Sequence, residues 1–211
     1  VRYLLAWIVV IVTSILLSDP AACADDWIRV RWVDDGDTIV LVDGRRVRYL
    51  GINAPEIAND KYGKKADPLG YEALALNRHL VKGKRVRLEL DQETHDDYGR
   101  LLAYVYVRGN QMINEQMVLN GLAYFYPHWP NNRYDDLLLK AQRKAMLATR
   151  GIWRNWKEND RKVIGNRRSR RFHANDCPDA KKIKARNHIR FDTPWQAFWE
   201  GYAPARDCIK K

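Results

Sequence analysis

The chain has 211 residues, 46% of them hydrophobic and 30% charged, with a formal charge of +11. That length bounds it to one domain of ordinary size with an appendage, and excludes a string of large domains. Residues 154–211 hold 16 Lys and Arg against 7 Asp and Glu, while residues 25–153 carry a net charge of only +2. Charge kept merely for solubility would not divide in this way. A basic tail on a nearly neutral body points to a polyanionic partner, either nucleic acid or an anionic envelope surface.

The chain begins with a positive residue, Arg2, and an almost wholly apolar run from Leu4 to Leu17. Asp19-Pro20 and the small-residue stretch Ala21-Ala22-Cys23-Ala24 follow. This pattern reads as a secretory signal over residues 1–24, cleaved after Ala24. The apolar run is shorter than the ~20 residues that cross a bilayer. The expectation is a periplasmic or secreted protein with no stable membrane insertion once the signal is removed. Cys177 and Cys208 are the remaining cysteines, and an even pair in an oxidising compartment favours a disulfide.

Charged and apolar residues alternate over 27–33, which predicts a half-buried strand. A turn at Asp34-Asp35-Gly36-Asp37 leads to a second predicted strand over 38–42, and Asp43-Gly44 signals a hairpin into a third over 46–52. A polar loop, 59–69, is long for a compact domain, and such loops tend to be mobile or functional. Helical spacing follows over 71–81, then strands over 85–90 and 101–107, and helices over 114–122 and 134–149. The order β-β-β-α-β-β-α-α predicts an α+β, mainly β, fold: a five-stranded OB-like barrel with three flanking helices. The organisation read from this is a barrel domain over 25–155, a basic linker over 156–171 and a small Cys-containing C-terminal module over 172–211.

Three residues stand inside unusual local patterns. Arg48 and Glu56 lie in Arg48-Tyr49-Leu50-Gly51-Ile52-Asn53-Ala54-Pro55-Glu56, and Arg100 closes Asp96-Asp97-Tyr98-Gly99-Arg100. A carboxylate able to activate water, two guanidinium groups and a hard-metal aspartate, Asp37, are the parts that phosphodiester cleavage needs. Arginine suits phosphate because its planar fork binds two oxygens at once and stays charged. Arg48 on the third strand and Arg100 at the start of the fifth can reach one face of a barrel.

Six blocks carry a resemblance in both order and spacing. They are 33–38 (Val-Asp-Asp-Gly-Asp-Thr), 48–56, Gly70-x-Glu72-Ala73, 96–104, 114–123 and Gly151-Ile152-Trp153. From about Arg29 to Trp153 the chain resembles the staphylococcal nuclease family. The resemblance implies an OB-fold, calcium-dependent cleavage of DNA and RNA with little sequence specificity, and products ending in a 3′-phosphate. It places Arg48 and Arg100 on the charge of the transition state and Glu56 as the general base. It implies Ca²⁺ ligands at Asp37, at Asn53 and at the Ala54 carbonyl. Asn53 departs from the pattern, where a second carboxylate is expected, and Asp97 stands where the founding member is basic. Tyr98 and Tyr126 match tyrosines around the bound nucleotide; Tyr126 belongs to an aromatic stretch with Tyr124, Phe125, His128 and Trp129.

The tail resembles a small cysteine module appended to some nuclease-like proteins, but Ala205 stands where that pattern has a cysteine. His173, Cys177 and Cys208 would leave a zinc site one ligand short, so the disulfide is favoured over zinc. The resulting expectation is an exported, monomeric, calcium-dependent endonuclease acting on DNA and RNA. The rival is a non-catalytic nucleic-acid-binding OB-fold protein.

Overall fold

The computed structural model describes residues 27–60, 63–157 and 161–205; the signal read over residues 1–24, and Cys208, lie outside them. The alternation near the start becomes an antiparallel meander of β1 (Ile28–Val33), β2 (Thr38–Leu41) and β3 (Arg46–Tyr49). The strand expected to continue to Ile52 instead breaks at Gly51, with φ at +72°, and resumes as β4 (Ile52–Asn53). A Cβ on Gly51 would lie 2.5 Å from Leu138 Cδ1, so the bend occurs where no side chain fits.

The chain continues through α1 (Gly70–Val81), β5 (Arg85–Glu89), β6 (Leu101–Val107) and the short β7 (Gln111–Met112). Then come α2 (Ile113–Leu119), β8 (Tyr124–Phe125) and α3 (Asp135–Leu147). Strands run in the order β3-β2-β1-β5-β6, and parallel pairing of β3 with β6 closes the barrel. This is the five-stranded barrel with three helices around it that the element order predicts. Ile39, Leu41, Val47, Val86, Ala103 and Val105 are fully buried in its core, and each large aliphatic contributes roughly 1.5–3 kcal/mol by leaving water. Every residue of β6 is buried, because its second face is covered too. Asn114 of α2 fixes that cover: its amide oxygen accepts the Val105 N–H at 2.9 Å, and its nitrogen donates to Leu50 O at 2.8 Å.

Residues beyond the barrel form a second sheet in the order β11-β9-β10-β12. Its strands are β9 (Val163–Asn166), β10 (Arg171–Ala174), β11 (His188–Phe191) and β12 (Ala203–Pro204), with α4 (Pro178–Lys181) and α5 (Pro194–Trp199). β9 falls within the stretch read as a linker, where buried Val163 and Gly165 alternate with half-buried Ile164 and Asn166. Phe172, Phe191, Phe198 and Tyr202 join Trp153, Ala145 and Met146 in one cluster, so the sheet shares a core with the end of α3. The seam is also hydrogen-bonded: fully buried Gln142 accepts the Phe125 N–H at 2.8 Å and donates to Phe198 O at 2.6 Å. Cys177 is disulfide-bonded, and its sulfur lies 3.7 Å from His173 Nδ1. Among the described residues no helix is long and apolar enough to cross a membrane.

Candidate active site

Closure of the barrel brings the two arginines together. Arg48 on β3 pairs opposite Leu102, and Arg100 immediately precedes β6. Arg48 and Arg100 both line one cleft of about 310 Å³ with Asp96, Tyr98, Tyr126 and His128. Arg48 is nearly buried; its Nη1 forms an ion pair with Asp37 Oδ1, and its Nη2 donates to Asn53 Oδ1 at 2.9 Å and to Ile52 O at 3.2 Å. Burial alone would lower its pKa, but the charges of Asp37 and Asp35 outweigh it and raise the pKa above its ordinary value. Arg48 is thus a fixed positive charge with little conformational freedom.

Arg100 is held by Asp96, whose Oδ2 accepts the Arg100 Nε–H at 2.7 Å and whose Oδ1 accepts the Arg100 backbone N–H at 2.9 Å. Partial burial would raise the Asp96 pKa, yet the bonds from Arg100 hold it below the usual carboxylate range. Tyr98, 78% exposed, has the Arg100 guanidinium 5.4 Å from its ring centre. Tyr126 is covered differently from a bare stacking platform: the guanidinium of Arg171 lies over its ring at 3.5 Å.

Asp37, Asn53 and Ala54 form a mutually bonded cluster. Asp37 Oδ2 accepts the Ala54 N–H at 2.6 Å, and Asn53 Nδ2 donates to Ala54 O at 3.3 Å and to the Tyr124 hydroxyl at 3.0 Å. Pairing of β4 with β8 sets Asn53 opposite Tyr124. The acidic turn presses on this cluster, since a Cβ on Gly36 would lie 2.5 Å from Ala54 Cβ and 2.8 Å from Ala73 Cβ. Asn77 of α1 fixes the turn by donating to Asp35 O and accepting from the Tyr49 hydroxyl, each at 2.8 Å. Burial, and the charge of Asp37 beside it, push the Asp35 pKa up to about 7.

Glu56 lies outside the lining of the arginine cleft, on the segment that follows Ala54, and its charge reaches both Arg48 and Asp35. Its loop is tied down. The Glu56 N–H donates to Asp67 Oδ2 at 3.0 Å, the Asp67 N–H donates back to Glu56 O at 2.8 Å, and Asn59 pairs with Lys64. A Cβ on Gly70 would collide with the Glu56 carbonyl, so glycine there lets α1 begin against this loop. The carboxylate itself is 37% exposed and 3.6 Å from Lys64 Nζ.

The fold therefore gathers Arg48, Arg100, Tyr98 and Tyr126 at one cleft, and Asp37, Asn53 and Ala54 behind Arg48. The residues that position them are Asp96, Asn77, Tyr124 and Arg171. Of these only Asp96 had a local signal, the turn it makes with Gly99 three residues on. The model of the staphylococcal nuclease homologue family matches residues 46–155 of the chain. The chain is also 40% identical over 129 residues to a thermonuclease of Staphylococcus intermedius, covering 59% of this chain and 74% of that protein. The chain belongs to the staphylococcal nuclease family. Endonuclease YncB of Bacillus subtilis (strain 168) is 38% identical over 124 residues, covering 56% of this chain and 57% of YncB. An uncharacterized endonuclease of Escherichia coli O157:H7 is 36% identical over 141 residues, covering 65% of this chain and 84% of that protein.

The donor chemistry of the family's metal position can be tested on these residues. Every donor is oxygen: the Asp37 carboxylate, the Asn53 amide and the Ala54 carbonyl, with Asp35 near. Such donors suit calcium or magnesium and not a thiophilic metal. The charges of Asp37, Asp35 and Glu56 converge on one guanidinium, Arg48, and a divalent cation would relieve that excess of negative charge. The residues fit a hard cation.

Proposed function

We propose that this nuclease is an exported, calcium-dependent endonuclease that hydrolyses phosphodiester bonds of DNA and RNA with little sequence preference. The observation that carries this reading is the placement of Arg48 and Arg100 by the β3–β6 pairing at one cleft, beside an oxygen cluster with Glu56 next along the chain. Calcium, held by Asp37, Asn53 and the Ala54 carbonyl, would supply positive charge to the scissile phosphate.

The side chains divide the remaining work. Glu56 takes a proton from the attacking water, a contribution typically worth ~10²–10⁴-fold. Arg48 and Arg100 donate hydrogen bonds to the non-bridging oxygens as negative charge builds on them, and the P–O5′ bond breaks to leave a 3′-phosphate, the departing 5′-oxygen taking a proton from solvent. Because both are already anchored, by Asp37 and Asp96, little reorganisation is needed when that charge appears. Tyr98 contacts bases through ring faces that every base can match, and Tyr126 through the face away from Arg171, so no sequence is selected. Export is supported by the apolar run and small-residue stretch over residues 1–24, and the basic tail suits a polyanionic substrate.

Digestion of single-stranded DNA with calcium or chelator, with Glu56→Gln alongside, tests the proposal. Calcium-dependent cleavage leaving 3′-phosphate ends is expected, slower by about 10²–10⁴-fold in Glu56→Gln. No cleavage by the intact protein in calcium would make it a binder, and cleavage that persists in chelator would remove the metal.

A further inference from the structure

Arg171 touches both halves of the molecule. It opens β10 of the second sheet, yet its guanidinium lies on the ring of Tyr126 and its Nη2 donates to Pro127 O at 2.8 Å. Tyr126 lines the cleft that holds Arg48 and Arg100. Arg171 also lines a second cleft, of about 330 Å³, with Asn166, Ser169, His173, Asp179 and Lys182. The two clefts therefore adjoin at one arginine–tyrosine pair.

The surroundings of the second cleft are cationic. Exposed Arg167 and Arg168 sit on the turn between β9 and β10, and exposed Lys181, Lys182 and Lys184 lie on and after α4. Residues 161–205 contain 11 Lys and Arg against 4 Asp and Glu, and the acidic residue that lines this cleft, Asp179, is engaged by Lys182 at 2.7 Å. The barrel by itself is nearly neutral, so most of the attraction for a polyanion resides here.

We propose that the second cleft is a phosphate-backbone subsite for the strand cleaved in the first, so that the C-terminal sheet extends the substrate track across Arg171. This rests on the nuclease reading of the barrel cleft. Arg171 is held by the Tyr126 ring and by the Pro127 and Ser169 carbonyls, so its charge stays at a set place between the two clefts. Cations spaced along the turn and α4 then engage further phosphates without reading bases, which makes binding depend on strand length and on salt.

The test separates binding from cleavage. Glu56→Gln protein in chelator is titrated with labelled single-stranded DNA of 4 and 20 nucleotides across a range of salt, by fluorescence anisotropy, the shorter strand being about the smallest that one OB-fold engages. Arg168→Ser/Lys182→Ser is made on the same background, and its adhesion to anionic phospholipid vesicles is measured alongside. The double variant is expected to weaken the 20-mer about tenfold and to flatten its log–log salt slope by roughly 1.4, about 0.7 for each phosphate left without its cation. The 4-mer should change less than about twofold. Equal losses for both lengths, or an unchanged slope, would overturn the proposal. So would intact 20-mer binding with lost adhesion to anionic phospholipid vesicles, which would assign the basic face to a membrane surface. A failure of the nuclease reading would show separately, as absence of cleavage by the unaltered protein in calcium.

Discussion

Asn53 uses its amide in both directions: the oxygen accepts from Arg48, and the nitrogen faces the Ala54 carbonyl and the Tyr124 hydroxyl. A carbonyl oxygen that already accepts a hydrogen bond has less to give a cation, and an amide brings no charge. Both effects weaken a site whose carboxylate, Asp37, is shared with Arg48 and the Ala54 N–H. With calcium as the proposed metal, a requirement near the millimolar range is expected, one that the proposed export from the cytoplasm would tolerate. Asn53→Asp would release the Ala54 carbonyl and add a charge. Half-maximal cleavage should then need about tenfold less calcium. An unchanged calcium titration in the Asn53→Asp protein would show that the amide is not what limits affinity.

The start of α3 sets two electrostatic effects against each other. Asp135 and Asp136 in the first turn suit the positive end of the helix dipole. Yet Asp135 Oδ1 is buried without a hydrogen-bond partner, and burial pushes the Asp135 pKa up to about 6 although Arg170 pulls it down. Because the folded state holds this proton more tightly than the unfolded chain, the ionised carboxylate destabilises the fold above pH 6. That penalty fades as pH falls through 6 towards 4. Asp135→Asn should therefore raise the melting temperature at pH 8, with the gain shrinking to nothing by about pH 4; a gain independent of pH would mean that Asp135 does not titrate there. Elements of this kind were legible wherever one period governed a segment, as in β1, β6 and the three barrel helices. The break at Gly51 was hidden because apolar residues continue on both sides of it, and β9 because basic residues surround a short alternating run. In the site, Arg48, Arg100 and Asp37 stood in local turn and strand patterns that announce themselves. Asn77 against Asp35, Tyr124 against Asn53 and Arg171 against Tyr126 are meetings across the fold, which no local window displays.

The barrel and the C-terminal sheet are joined by shared aromatic packing and by Gln142, whose two amide atoms satisfy a backbone group on each side. Gln142→Leu would leave the Phe125 N–H buried and unpaired, at about 1–3 kcal/mol, and would strip the Phe198 carbonyl of one of its two bonds, the other coming from the Gly201 N–H at 2.9 Å. A single cooperative melt is expected for the unaltered protein. In Gln142→Leu it should come several degrees lower, and an unshifted melt would show that the seam contributes nothing to stability. Tyr124 lies on the same seam: its ring packs edge-on to Phe198, 5.5 Å between centroids, while its hydroxyl takes the Asn53 amide. This barrel is therefore not an interchangeable cassette. A relative's barrel grafted onto residues 161–205 would need a glutamine and a tyrosine at these two places before the sheet could seat. Conversely, a barrel cut away from its sheet would keep Arg48 and Arg100 but leave the side chain that faces Asn53 without its backing.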